Sequence, residues 1–235
     1  MADVVTHTTN DLGQPIGLPV EGAFPRPRPP HVPLAGWHVT LSPTREAHAE
    51  ALLAAFAEDT THAGWTYLPD APWQGIADAE AFCRKAQGSA DPMFYTITDS
   101  YGVISGFCSL LRIDPAVGSI EVGFIHFAPR LQKTPAATEA MVLLMRHAFD
   151  DLGYRRFEWK CDALNAPSRA AATRLGFTFE GIFRQATMYK GRNRDTAWFS
   201  ILDSEWHALN VRFKVWLDQS NFDDDGNQKR RLQDC

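Results

Sequence analysis

Four cysteines in 235 residues, Cys83, Cys108, Cys161 and Cys235, lie far apart in the sequence with no CxxC pair. That spacing excludes a thioredoxin-like dithiol and a zinc knuckle. Eight histidines include no HExxH, so no metal site is expected. No apolar run approaches the roughly 20 residues a membrane span requires, and MADVVTHTTNDLG has no signal-peptide core. A reduced, cytoplasmic chain without a membrane partner is expected. Lys and Arg total 23 against 28 Asp and Glu, a net charge of −5. Phosphate-backbone binders concentrate positive charge, so nucleic acid is not an expected partner. Two short basic spots, KGRNR at 190–194 and KRR at 229–231, read as a hairpin tip and a solvated tail.

What remains is ordinary for a soluble globular chain: 45% hydrophobic and 22% charged residues, enough to bury a full core. Residues 1–36, rich in Pro and Gly, show neither helical nor strand period and read as an extended strap on the domain surface. Residues 37–218 carry one continuous pattern, and 219–235 read as a polar, flexible tail. Within the middle segment the periodicity predicts a strand at 37–41 and helices at 45–57 and about 76–87. Strands follow at 93–98, 103–113 and 119–127, then a helix over 135–152. A strand at 155–161 leads into the helix of NAPSRAAATRLGF, and two strands, 177–190 and 194–202, flank a tight GRN turn. An amphipathic helix, DSEWHALNVRFKVWL, closes the domain. This order defines an α/β (α+β) domain with a mainly antiparallel sheet.

The helix in NAPSRAAATRLGF raises a specific question. Asn165 suits an N-cap, Pro167 a first turn and Gly176 a left-handed C-terminal position. Asn165-x-x-Ser168-x-x-x-Ala172-x-x-Leu175-Gly176-Phe177-x-x-Glu180-Gly181-x-x-Arg184, the segment Asp195 to Trp206, and Glu121-Val122-Gly123-Phe124 followed by a loop and helix near Arg130, together match a known pattern. Over about residues 35–210 the chain resembles the GNAT N-acetyltransferases, closest to the ribosomal-protein alanine acetyltransferase branch. The resemblance implies a mixed, mainly antiparallel twisted sheet flanked by helices, acetyl-CoA as cosubstrate, and a small-molecule or peptide amine as acceptor.

It also implies site residues. The family's phosphate loop corresponds to Gln132-Lys133-Thr134-Pro135-Ala136-Ala137, where Pro135 replaces a glycine and removes one N–H donor. Pro135 suits the first helical position with Thr134 as cap. The amides of Ala136, Ala137 and Thr138 are expected to face the diphosphate, with Arg130 and Lys133 as cationic arms. The strand positions Gly123, Phe124 and Ile125 are expected to pair with the pantetheine amides, and Asn165 to hold the pantetheine arm or an ordered water. Ser168 is expected beside the sulfur. Glu121, on the strand face shared with Gly123 and Ile125, is expected to be either a base acting through water or a salt-bridge partner. In the loop holding His62, Trp65, Thr66 and Tyr67, the aromatics Trp65 and Tyr67 are candidates for the acceptor wall, against loop packing. Because Pro135 departs from the pattern, an acyl-CoA-binding regulator without turnover is one alternative to an enzyme; an interaction domain that recruits proteins through the strap and the aromatic loop is another.

Overall fold

The computed structural model describes residues 6–223 and 226–235; the first five residues of the expected strap lie outside them. The strap begins with a small exposed hairpin, β1 (His7–Thr9) and β2 (Pro15–Gly17), that the sequence pattern does not announce. It then runs along the domain: Arg26 N–H donates to Pro115 O (2.8 Å) and Arg28 to Ala90 O (2.8 Å). His31 lies 2.8 Å from Phe94 O and meets the Tyr95 ring edge-on. Its last residues, β3 (Leu34–Ala35), join the main sheet beside β4 (Val39–Pro43).

One 3-10 turn, Glu46–His48, leads into α1 (Ala49–Phe56), and α2 (Ile76–Gln87) follows. The meander β5 (Met93–Asp99), β6 (Ile104–Asp114) and β7 (Ser119–Phe127) comes next. Its first turn is set by Asp99, whose Oδ1 accepts the N–H groups of Tyr101 and Val103 while Gly102 takes the left-handed conformation. The long helix α3 (Pro135–Arg146), extended by a π turn over His147–Asp151, crosses over to β8 (Arg156–Asp162). Then come α4 (Ala166–Arg174), the hairpin β9 (Thr178–Tyr189) and β10 (Arg192–Leu202), and α5 (Asp203–Leu217). These bounds fall within a few residues of those the periodicity predicts.

The main sheet has eight strands in the order β3-β4-β5-β6-β7-β8-β10-β9. All neighbours are antiparallel except β7 and β8, the pair that a helical crossover must make parallel. On one face lie α3 and α5, and the core there holds Leu110, Val122, Leu144, Phe157 and Phe213. The other face is covered by α1 and α2 only over β5 and β6, around Phe56, Trp65, Phe94 and Phe107. β9, at the edge, is exposed along almost its whole length.

Helix α3 is buried continuously from Ala137 to Met145, so its one inward acidic group needs partners. Glu139 has them: its carboxylate accepts the N–H groups of Trp37 (2.9 Å), His38 (2.5 Å) and Val39 (3.0 Å). This clamp ties the strap's end to α3, and a Cβ on Gly36 would sit 2.5 Å from the carboxylate. The expected frayed tail is instead folded back. Trp216 Nε1 donates to Gln228 (2.9 Å), Asn221 bonds Trp216 O and Arg230, and Leu232 is buried. The partner for this polar stretch is the apolar flank of α5, which composition alone does not reveal.

His126 is enclosed by Phe56, stacked on it at 4.0 Å, and by Trp65 and Phe107. Burial holds its imidazole neutral, with a pKa near 4. An unfolded histidine protonates below about 6.5, so the unfolded state binds more protons between pH 6.5 and 4, and stability falls as pH drops through that window. The expected loss is on the order of 3 kcal/mol, measured as urea midpoints against pH. The His126→Phe variant should show a flatter acid limb. In a separate measurement, Glu139→Leu, which leaves three amides without an acceptor, should cost about 3 kcal/mol.

Candidate active site

Pairing between β7 and β8 covers Ser119–Val122 against Arg156–Trp159 and then stops. Beyond it β7 stays with β6 and β8 stays with β10, so the two strands part. A bulge in β7 contributes: Phe107 faces His126 but Ser109 faces Gly123, one residue extra on β7, and Phe124 takes φ +48°. The bulge also breaks the alternation. Phe124, expected opposite Glu121, packs toward the α1/α2 side, and Ile125 turns to the α3 side. Gly123, Phe124 and Ile125 thus line an open cavity of about 390 Å³ between the parted strands.

Glu121 is in the cavity wall, but not as a free base. Its side chain is 3% exposed, and Oε2 is held by Arg112 (2.7 Å) and by Lys160 (2.9 Å). Of the two readings, the salt-bridge geometry is the one present. The pairing continues across the sheet: Lys160 to Glu158 (2.7 Å), Arg156 to Glu158 (2.7 Å) and Arg156 to Glu180 (2.6 Å), with Ser200 donating to Glu180. Burial pushes the Glu158 carboxyl up, but its bonds to Lys160 and Arg156 outweigh this and hold it below the usual range. The Lys160 ammonium also lies 3.6 Å from the Trp198 ring centre.

Across the cavity, α4 begins as its sequence predicts. Asn165 Oδ1 accepts Ser168 N–H (3.1 Å), and Gly176 ends the segment at φ +90°. Trp159 Nε1 donates to Ser168 Oγ (3.0 Å). A hydroxyl that accepts with its oxygen keeps its own hydrogen to give elsewhere. Asn165 and Ser168 both line the cavity.

At the start of α3, Thr134 caps as expected, accepting Ala137 N–H (3.1 Å), with Pro135 at the first position. The cap uses one of the three amides assigned to the diphosphate, and Thr138 N–H bonds Thr134 O. Ala136 N–H remains without a partner among the described residues. Arg130 does not serve as a cationic arm: its guanidinium bonds Ser105 (3.1 Å) and Ile104 O (2.5 Å) and pairs with Glu58. Lys133 is exposed beside the helix end. A second cation there escaped sequence reasoning. Arg174, at the end of α4, donates to Thr138 Oγ1 (3.0 Å) and lies over the Trp216 ring.

The two aromatic candidates separate. Tyr67 lines the cavity, its hydroxyl donating to Leu164 O (3.1 Å). Trp65 is 3% exposed, packed against Phe56, Trp73 and His126 away from the cavity; it is loop core, not acceptor wall. The cavity also contains a pair that no motif indicates, Tyr189 and Asp162, joined by a 2.8 Å hydrogen bond. Their separation of 27 residues becomes a contact only when β8 and β9 take their places on either side of β10. Among the described residues no group of acidic, His and Cys side chains is arranged to hold a metal ion, and no helix is long and apolar enough to cross a membrane.

Known proteins share this fold. The family model described as Acetyltransferase (GNAT) domain matches residues 38–178. A GCN5-related N-acetyltransferase from Brucella melitensis is 46% identical with a TM-score of 0.89, over 91% of this chain and 98% of that one. An uncharacterized N-acetyltransferase, p20, of Bacillus licheniformis is 31% identical, over 60% of this chain and 80% of its own. A ribosomal L7/L12 alpha-N-protein acetyltransferase, RimL, is 20% identical with a TM-score of 0.64, over 72% of this chain and 93% of that one, a likeness of fold. The chain belongs to the GNAT acetyltransferase family and is an acetyl-CoA-dependent N-acetyltransferase.

The ion pairs around Glu121 carry a testable cost. Removing Lys160 leaves the buried carboxylates of Glu121 and Glu158 with one cation each, Arg112 and Arg156, so Lys160→Met should lower unfolding free energy by about 3 kcal/mol. The double variant Lys160→Met/Glu121→Leu should regain part of that loss. Urea denaturation of the three proteins measures both.

Proposed function

We propose that the acetyl acceptor is an α-amino group, carried by a protein N-terminus or by a small aminoacyl compound. An α-amino group has a pKa of about 8 and a lysine about 10.4, so at equal pH a neutral lysine costs roughly 3 kcal/mol more to present. In a cavity whose Glu121 is tied to Arg112 and Lys160, the acceptor that needs less help is favoured. The volume of about 390 Å³ suits a chain end or a small molecule.

The observation that carries the reading is the hydroxyl of Ser168, which receives the Trp159 N–H, lines the cavity, and has the Cys161 thiol as its other hydrogen-bonding neighbour there. Facing it across the parted strands are the peptide groups of β7. Backbone at Gly123–Ile125 pairs with pantetheine amides, and the Asn165 side-chain amide, whose oxygen is used in the cap, steadies the same arm. Ala136 N–H, Lys133 and Arg174 hold the diphosphate at the positive end of α3, where the helix dipole adds about 0.3–1 kcal/mol per charge. Bound there, acetyl-CoA supplies an activated acyl group. Ser168 stabilises negative charge on sulfur by hydrogen bonding rather than by giving up its proton, because a serine hydroxyl is a weak acid.

Release of free thiol, assayed with dipeptides and with N-blocked lysine peptides, tests the acceptor class: turnover on free α-amino groups supports it, and turnover confined to lysine side chains overturns it. Ser168→Ala should lower kcat about tenfold with the acetyl-CoA Kd changed less than about twofold in calorimetry. An unchanged kcat removes the hydroxyl from the mechanism.

A further inference from the structure

Two carboxylates line the cavity among the described residues, Glu121 and Asp162. The first is bound to two cations. The second is buried, with no ion pair among the described residues; both its oxygens accept hydrogen bonds, Oδ1 from Leu164 N–H (2.8 Å) and Oδ2 from the Tyr189 hydroxyl (2.8 Å). Tyr189 stands at the end of β9, and the turn to β10 begins immediately after it. Its ring is therefore presented by the turn of the β9–β10 hairpin, while Asp162 is itself the last residue of β8, at the turn into α4. Ser168 lies six residues beyond Asp162, on the first turn of α4, and lines the same cavity.

We propose that Tyr189 is a catalytic residue that, with Asp162 behind it, takes the proton from the acceptor's ammonium. The inference rests on the amine-acetylation reading above and deepens it by naming the base that the ion-paired Glu121 does not supply. One N–H proton of the ammonium passes to Tyr189 Oη as the hydroxyl's own proton passes to Asp162 Oδ2. The freed nitrogen lone pair forms the N–C bond to the thioester carbonyl carbon, and the C–S bond breaks with its electron pair left on sulfur. A second proton from the attached nitrogen ends on that sulfur, and Asp162 returns the first to solvent. No other reagent is needed.

The surroundings suit a relay rather than a phenolate base. Burial, then the bond to Asp162, pushes the Tyr189 phenol up to about 12, so at neutral pH it passes a proton on rather than standing deprotonated. The other groups facing the pair are Arg194 of β10, whose guanidinium lies 5.8 Å from the Tyr189 ring centre, and Tyr67 of the loop after α1. The Cys161 thiol is the neighbouring side chain on β8. Burial raises it, so it stays protonated at neutral pH and does not compete for the proton.

Tyr189→Phe removes the link, and Asp162→Asn keeps the shape and the Leu164 bond while removing the proton acceptor. On a dipeptide acceptor at pH 7, each should lower kcat/KM about 100-fold, and the double variant should lose no more than either single one, because the two act as a unit. On an acceptor that is already neutral at pH 7, such as a hydrazide, the loss should shrink to less than about threefold. The pH profile of kcat/KM should shift to higher pH, following the acceptor's own amine pKa. A readout free of turnover is available as well. In protein labelled with 13C at the tyrosine ring carbon bearing oxygen, the resonance missing from Tyr189→Phe should titrate at lower pH in Asp162→Asn than in wild type. Thermal melts within a few degrees of wild type establish that the variants are folded. Equal losses on both acceptors, or losses under about threefold on the dipeptide, overturn the relay while leaving amine acetylation standing. Wild-type protein that releases no thiol with any amine overturns both.

Discussion

The constraint on which this molecule depends is the brevity of one strand pairing. Parallel strands β7 and β8 share four registered positions and then separate, leaving peptide groups that a continuous sheet would have consumed. Buried backbone polar groups without partners are costly. A fold keeps them where something else can satisfy them, and the proposed pairing with a long amide-bearing cosubstrate would do so. The parting is built in twice, by the one-residue bulge at Phe124 and by the allegiance of β8 to β10 beyond Trp159. Everything else around the cleft preserves that opening.

The preservation is largely electrostatic. From Arg112 to Glu180 a row of alternating charges spans β6 to β9 across the sheet face. Such a row is not a strong source of stability, because desolvation offsets much of the attraction. Its value is geometric: each charge has one low-energy place. Opposite charges on β7 and β8 hold the two strands at the point where they begin to separate. Glu139 does comparable work on the other face, gathering three consecutive amides and joining the end of the strap to α3.

Most of the fold was legible because its signals are local. Thr134, Pro135, Asn165 and Gly176 act on backbone within a few residues of themselves, and the structure places each of them in its predicted position at a helix end. Strand and helix periods likewise survive wherever one face is buried. The failures have a common cause. Arg130 was assigned from its nearness in sequence to the loop, yet Glu58, Ser105 and Ile104 capture it from other elements. Glu121 was readable as a carboxylate in an apolar run, but its partners come from β6 and β8. Trp65 looks the same in sequence whether it lines a cavity or fills a core. Arg174 and the Tyr189–Asp162 pair are products of sheet order, which one sequence does not display. The parity change at Phe124 was invisible for a related reason, since alternation presumes a strand without an inserted residue.

The edge strand β9 has a consequence for how the protein lives among others. Twelve residues long and open to solvent, with Phe179, Ile182 and Phe183 partly bare, it has the makings of a template onto which foreign chains could stack. Its backbone is not straight, however. Register breaks near Arg194 and Trp198, together with left-handed Gln185, interrupt the row of donors and acceptors, and Arg184 and Lys190 add like charge. An irregular margin of this kind offers an intruding polypeptide no long ladder to copy, although the hairpin that carries the cleft's wall stands at the rim.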